Sequence, residues 1–530
     1  MRKQTLLLAA TTMALSLLGL TACPGGLKPD KYTKDGKLIV PMRNLYFSSY
    51  KGGDSYIEEV ENKFKMKFQF ETYDWANWET QVTGSVNGQN MEDVFHANID
   101  SYNFSNTYKF WAEEEIVKPL PDDMSPWPNI QAVLENTSNI EALKVNGKLY
   151  GLPIAKNTTD YSTSFSPFTY IYRRDWAKKW GVYKENDEYT WSEFEALLEK
   201  FKTELAQYNK YALADVEWGF PSIPNFYKQV PHCFAQDNAG RYVCNYTTEA
   251  YLNGLTEAKS FMTSGWYHPD QNTAADGVMN SKYYSNQVGV LYENLSYSNY
   301  VALKNNLRKT NVDTPNFNID DAIAIMKIKG TNGKYSLEGT DNWFSMTFFD
   351  YRITDNKQKK VLDVLDWLLS EEGTLFSVYG FENYDYEIVD GKVQIKPEAW
   401  PTDPDTGEYA PKDNGASYLR NLISLGYDTL EMNPLTDKDC VEYLNNWEAE
   451  MKAALDDNQL RVLKETSEVM WLTTQKKALN ANNLRETALI DVMKFCYGKD
   501  PDKTLDGFKS QFNTKTWEEV LDEINSALGK

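Results

Sequence analysis

Lys37-Leu38-Ile39-Val40-Pro41-Met42, six residues with one charge, reads as a buried β-strand. Asp54–Phe64 follows, with Ile57, Val60, Glu61 and Phe64 at helical spacing. Lys67–Tyr73 (KFQFETY) alternates like a strand, with Phe68 and Phe70 on one face. Asn77–Val86 is helical in character, and Asp93–His96 (DVFH) is a short apolar strand. Strand, helix, strand, helix, strand implies parallel pairing, because crossovers of this length are not tight hairpins. The fold class is therefore α/β. In open α/β sheets the ligand crevice lies beyond the carboxyl ends of the strands. Three loops qualify: 43–50, 74–78 and 97–102.

Working outward, a second set of elements begins near residue 165. Thr169–Arg173 (TYIYR) is a strand candidate, and Asp175–Trp180 starts a short helix that Gly181 ends. Thr190-Trp191-Ser192-Glu193 is a capping-box signature. The apolar stripe Trp191, Phe194, Leu197, Leu198, Phe201, Leu205 runs on from it. Thr248–Ser264 reads as a helix stopped by Gly265; Gln287–Tyr292 and Ala322–Ile328 read as buried strands. Asn342–Phe349 is strand-like, and Gln358–Leu369 is an amphipathic helix. Glu387–Ile395 is a hairpin around Asp390-Gly391, and Pro401–Gly415 is a polar loop. From Ala416 the patterns are mainly helical, and no repeat of about 20–50 residues is visible.

Composition narrows the function. With 55 basic and 76 acidic side chains among 530 residues, the net charge is −21. That argues against nucleic acid as a partner, since phosphate binding needs excess Lys and Arg. Three His and five Cys make a His- or Cys-rich metal site improbable. The aromatic share of 14% is a surplus of rings for a surface or a cleft.

Arg2 and Lys3 precede an uncharged stretch, Leu6–Leu20. It is shorter than the ~20 residues of a bilayer crossing and reads as a signal segment. It ends in Leu20-Thr21-Ala22-Cys23, which resembles the bacterial lipobox, where the Cys is diacylated and becomes the mature N-terminus. The plain alternative is a secretory signal with a chance Cys. Two acyl chains would suffice for anchoring, with residues 23–35 as tether. Loss of Arg2 and Lys3 takes the charge from −21 to −23. No later stretch is long and apolar enough to span a membrane.

Cys233 and Cys244 flank Asp237-Asn238-Ala239-Gly240. A hairpin with Asp237 opposite Gly240 would set the two sulfurs face to face, at a separation a disulfide tolerates. Two buried free thiols are the equal alternative. Cys440 and Cys496 read as core.

Several segments, in order, resemble the extracellular solute-binding proteins of bacterial ABC importers, in the long lipoprotein branch of family 1. They are Glu61–Phe68 (ENKFKMKF), Met91–Phe95 (MEDVF), Glu114–Leu120 (EEIVKPL), Val145–Pro153 (VNGKLYGLP), Tyr172–Trp176 (YRRDW), Thr190–Phe194 (TWSEF), Tyr384–Glu387 (YDYE) and Asp390–Lys392 (DGK). The resemblance covers nearly the whole mature chain. It implies a two-lobed periplasmic-binding-protein-like fold of class II, with lobes interleaved in sequence and a helical C-terminal part. Crossings are implied near 153–170, 328–340 and 378–386. Lobe 1 would then be 36–158 plus 330–378, and lobe 2 would be 159–329 plus 379–530. Many long members carry a calcium loop after the helix that Thr190 opens. Here that region, Ala206–Asp215 (AQYNKYALAD), lacks the oxygen ligands and Gly of such a loop, so no metal and no cofactor are expected.

The implied function is capture of an oligosaccharide between the lobes and delivery to the ABC permease subunits. The chain would be a monomer on the extracytoplasmic face of the bacterial cell membrane, lipidated at Cys23, and not an enzyme. Sugar binding suits the composition: flat rings cover pyranose faces while amides and acids take hydroxyls. From the crevice loops the candidates are Tyr46, Trp75, Trp78, His96, Asn98, Asp100 and Tyr102. From the second lobe they are Trp218, Phe220, Asn225, Tyr227, Glu293, Asn294 and Tyr297, with Trp343 at the second crossing. For any single ring, core packing is the ordinary alternative. Two rivals stay open, and a peptide-binding or structural lipoprotein ranks below them. One is a lipid-anchored carbohydrate enzyme, although no carboxylate pair or G-x-S-x-G, H-E-x-x-H or P-loop motif stands out. The other is a helical glycan-capture lipoprotein, against which the alternation at 37–96 counts.

Overall fold

The structure is a computed structural model. It describes residues 26–47, 50–75, 77–98, 102–156, 164–165, 168–215, 234–237, 239–269, 277–400, 414–426, 432, 436–464, 504–510, 512, 514–527 and 529–530.

The first layer grows from the opening strands. β1 is Leu38–Asn44, α1 Ser55–Phe64, β2 Met66–Thr72, α2 Trp78–Asn87, β3 Val94–Asn98 and β4 Leu152–Ala155. Asp54 caps α1 by accepting from the Tyr56 and Ile57 amides, each at 3.0 Å. Lys65, at φ 56°, ends the helix in the left-handed region and turns the chain into β2. β1 pairs in parallel with β2 and with β3, as the alternation implies. Trp343–Phe349 returns much later and runs antiparallel between β3 and β4. Leu38, Val40 and Met42 face a core shared with Val361, Leu362, Leu365 and Leu368 of the helix Asp355–Leu369. Phe95, Met346 and Phe348 face the opposite core with Val82, Val86 and Trp111. A sheet covered on both faces explains why Val94–Ala97 of β3 are buried at four consecutive positions.

A second sheet holds Phe168–Arg173, Tyr211–Asp215, Val288–Asn294 and Ile323–Ile325. Val288–Asn294 lies antiparallel to Phe168–Arg173 and parallel to Tyr211–Asp215. The capping box forms as its sequence implies: the Thr190 hydroxyl accepts from the Glu193 amide, and Glu193 accepts from the Thr190 amide. The stripe Trp191–Leu205 then packs under this sheet. Gly289 makes that contact close, since a Cβ there would lie 2.2 Å from the Phe201 ring.

Two expectations change. Ala322–Ile328 is not one strand but two. Ile323–Ile325 belongs to the second sheet, and Lys327–Lys329 pairs with Glu188–Thr190 and Tyr335–Thr340 in a third sheet that Leu460–Lys464 completes. The Cys233/Cys244 register is one residue off. The turn closes at Asp237 N–H to Arg241 C=O (2.8 Å), Gln236 faces Tyr242, and Cys244 faces Phe234. Cys244 is a buried free thiol; Cys233 lies outside the described residues. The tail, where described, is mainly helical as read, and it also supplies the strand Leu460–Lys464. Cys440 is a buried free thiol 3.6 Å from the Lys304 Nζ, while Cys496 lies outside the description. Between Ala206 and Tyr211 the helix passes through a short turn, with Asn209 at φ 55°, directly into the strand.

Residues 381–426, where described, pack on the first layer. Tyr56 Oη donates to Asp385 at 3.0 Å, Tyr50 stacks on Tyr418 at 4.3 Å, and Ser424 bridges Ala155. At the base of that layer Lys28 meets Asp350 at 2.8 Å, Asp93 at 3.2 Å and the Met91 carbonyl at 2.7 Å. Lys357 and Arg352 complete this knot through Asp93 and Asp350, each at 2.6 Å.

Candidate functional site

β1 and β3 both run toward one edge of the first sheet, so their last residues meet there. Met42 pairs with Val94, and two residues on come Asn44 and His96. On the other side His96 faces Thr347, and Asn98 faces Ser345. Alternation puts Asn44, His96, Asn98, Ser345 and Thr347 on one face, the face that carries Met42, Val94 and Phe349 deeper in the core.

This polar set is buried. Asn44, His96, Ser345 and Thr347 are 0% exposed. Thr347 Oγ1 donates to the Leu422 carbonyl at 2.7 Å. The others hold atoms with no hydrogen-bond partner among the described residues: Asn44 Nδ2, both ring nitrogens of His96, Asn98 Oδ1 and Ser345 Oγ. Buried polar atoms are nearly always paired, because leaving one unpaired costs about 1–3 kcal/mol. Such a cluster at a strand-end crevice can hydrogen-bond a ligand. Burial pushes the His96 imidazole down to about 3, so it is neutral at physiological pH.

Rings lead from solvent to this floor. Trp75 is 55% exposed and meets Tyr46 edge-on at 5.5 Å; Tyr46 meets His96 edge-on at 5.4 Å. Tyr46 sits in a single turn, Leu45–Phe47, directly after β1, with its amide bonded to Asn44 Oδ1 at 2.9 Å.

The second sheet ends in acids and rings. Asp215 closes its strand, fully buried, and accepts from Tyr267 Oη at 2.5 Å. Burial raises its carboxyl to about 7 against that bond. Tyr292, opposite Asp215, is flanked by Tyr170 at 4.8 Å and Phe168 at 6.0 Å. Glu293 is buried and Asn294 half-buried at the same end. Beside them a small cavity opens between the second and third sheets, lined by Tyr170, Trp191, Tyr335, Ser336 and Trp447 among others.

Of the residues singled out from sequence, Tyr46, Trp75, His96 and Asn98 come together at the first edge, and Glu293 and Asn294 at the second. Trp78 is half-buried against the core beneath the first sheet. Two candidates are occupied structurally. Trp343 is 3% exposed and donates Nε1–H to the Ser138 carbonyl at 2.8 Å. Tyr297 Oη accepts from the Asp437 amide at 2.7 Å, fixing the start of the helix Lys438–Asp456. Tyr102 opens a helix, but its side chain is outside the description, as are Asp100, Trp218, Phe220, Asn225, Tyr227 and Cys23. Asn44, Ser345, Asp215 and Tyr292 were missed. A signal existed for Ser345 and Thr347: they are the polar residues at alternate positions in an otherwise apolar strand, WFSMTFF. Asn44 was missed because β1 runs two residues past Met42.

No family model matches the chain, and no curated protein does. Solved structures do. The alginate-binding protein AlgQ2 superposes with a TM-score of 0.62 at 15% identity, covering 93% of this chain and 98% of that one. The human-milk-oligosaccharide ("HMO") binding solute-binding protein associated with an ABC transporter, from Bifidobacterium longum infantis, gives 0.63 at 14% identity, covering 93% and 99%. The N-glycan transport solute-binding protein NgtS of Streptococcus pneumoniae gives 0.56 at 15%, covering 93% and 98%. Likeness at this identity speaks to architecture. The chain has the mixed α/β fold of the two-lobed solute-binding proteins that serve ABC importers.

Proposed function

We propose that this protein is the substrate-binding component of an ABC importer and captures an oligosaccharide between two lobes. One observation carries the reading: buried, partnerless hydrogen-bonding atoms converge at the carboxyl edge of the first sheet, reached by a ring path from Trp75 through Tyr46. Rings and unpaired amides are what a sugar's C–H faces and hydroxyls require. The structural neighbours include alginate, HMO and N-glycan binders, which supports the substrate class. In this reading lobe 1 is built on the first sheet, and the packing of 381–426 on that layer supports counting it there rather than with lobe 2. Lobe 2 is built on the second and third sheets. The protein works as a monomer, lipidated at Cys23, on the extracytoplasmic face, with the permease subunits as partners. It holds its sugar without turning it over.

Ligand contacts from both lobes favour the closed form over the open one. The test is a thermal-shift screen over oligosaccharides and peptides. A sugar at 100-fold its Kd stabilises by about 2.7 kcal/mol. Trp75→Ala should lose most of that shift with an unchanged melt of the free protein. Melts that move with peptides and with no sugar would sink the reading, and product formation from the sugars would make the protein an enzyme.

A further inference from the structure

The floor of the first edge carries no charge. Asn44, Asn98 and Ser345 are neutral groups, and burial keeps His96 in its neutral form. Between them they offer donors and acceptors alike: an amide N–H₂, an amide oxygen, an imidazole with one of each, and a hydroxyl. A sugar hydroxyl also donates and accepts, so it can satisfy any of these atoms. A carboxylate only accepts. Set here, it would face Asn98 Oδ1 and one His96 nitrogen acceptor to acceptor.

The neighbouring cations are engaged elsewhere. Arg43 alternates to the opposite face of β1, where it pairs with Glu92 at 2.7 Å and lies over the Tyr73 ring. Lys156 donates to the Asp341 carbonyl at 2.8 Å. Arg420 is buried and donates to Ser424 Oγ at 3.3 Å. The end of the second sheet adds acids, Asp215 and Glu293, both buried. Burying an anion without a cation costs far more than burying a hydrogen-bonded hydroxyl.

We propose that the cleft selects an uncharged glycan, its hydroxyls read by Asn44, His96, Asn98 and Ser345, and turns away sugars that carry carboxylates. This rests on the oligosaccharide reading above. The test compares melts of the full chain in maltotetraose, cellotetraose and mannotetraose with melts in tetragalacturonate and tetramannuronate. Concentration and ionic strength are held equal, and tetraalanine is the control. At least one neutral tetrasaccharide should raise the melt and neither uronate should. A uronate that stabilises where the neutral sugars do not overturns the selectivity and leaves the oligosaccharide reading standing. A shift with tetraalanine alone, or with no sugar, overturns both.

Asn98→Asp then probes the floor directly, by adding a carboxylate of the same shape. It should weaken the neutral ligand at least about tenfold, equivalent to about 1.4 kcal/mol, in addition to any lowering of the free-protein melt. Unchanged affinity in Asn98→Asp overturns the assignment. Should that variant not fold, Ser345→Ala serves, with a loss of at least about threefold expected and unchanged binding counting against the floor.

Discussion

His96 is one of three histidines, beside His232 and His268, and burial holds its imidazole near 3. An ordinary histidine titrates near 6.5. In the unfolded chain His96 therefore takes up a proton that the folded chain refuses, and its contribution to stability is lost as pH falls from about 6.5 toward 3. Imidazole NMR between pH 8 and 5 should show a set of ring signals that does not move, and His96→Gln should remove it. Movement of all three would contradict the burial. Asp215 has the opposite sign. Its folded carboxyl sits near 7, where an unfolded one sits near 3.9, so the folded state holds a proton the unfolded state has released. Stability is lost as pH rises through that window. Asp215→Asn should therefore gain over the parent by a few kcal/mol more at pH 8 than at pH 4, by order of magnitude. A gain of equal size at both pH values would refute the raised carboxyl. Neither residue announced its burial in sequence. His96 stood at a strand end where a polar group is usually hydrated, and Asp215 lay at the end of a strand whose following loop drew attention instead.

At the scale of elements, local rules were readable where a residue type has one use. The capping box at Thr190 is such a case, and Thr190→Ala should cost about 0.5–2 kcal/mol in a urea melt. Gly289→Ala should cost more, because the added Cβ meets the Phe201 ring at 2.2 Å inside a packed core. If Gly289→Ala proves milder than Thr190→Ala, the close packing of that helix on the sheet is wrong. The strands of the first layer were legible from apolar runs and alternation. The break at Met326 was not, because AIAIMKI contains no Gly or Pro to mark the change of sheet. Nor was the fate of Trp343 and Tyr297, whose polar tips were claimed by Ser138 and Asp437. Those partners lie 205 and 140 residues away in sequence, beyond any local pattern.

At the scale of the molecule, the insertion of Trp343–Phe349 between β3 and β4 ties the first sheet to a segment nearly two hundred residues downstream, and the described part of 381–426 returns to the same layer. Sequence periodicity finds elements but does not say which layer an element joins; the resemblance to importer-binding proteins supplied the interleaving that patterns could not. Two lobes that share a ligand should close on it. Small-angle scattering should show a smaller radius of gyration with the sugar than without, and an unchanged radius at saturating ligand would argue for binding to one lobe alone.

The Lys28 knot has a mechanical meaning. Asp93 precedes β3 and Asp350 follows Trp343–Phe349, so the knot lies at the end of the sheet opposite Asn98 and Ser345. With the anchor proposed at Cys23, Lys28 lies five residues on, a span of about 17 Å at full stretch. Such an anchor would let the protein pivot near one point on the bilayer, with the proposed binding edge turned away from the pivot. Short tethers of this kind hold a partner at millimolar effective concentration. Even a weak grip on a permease would be renewed many times before the protein drifts off.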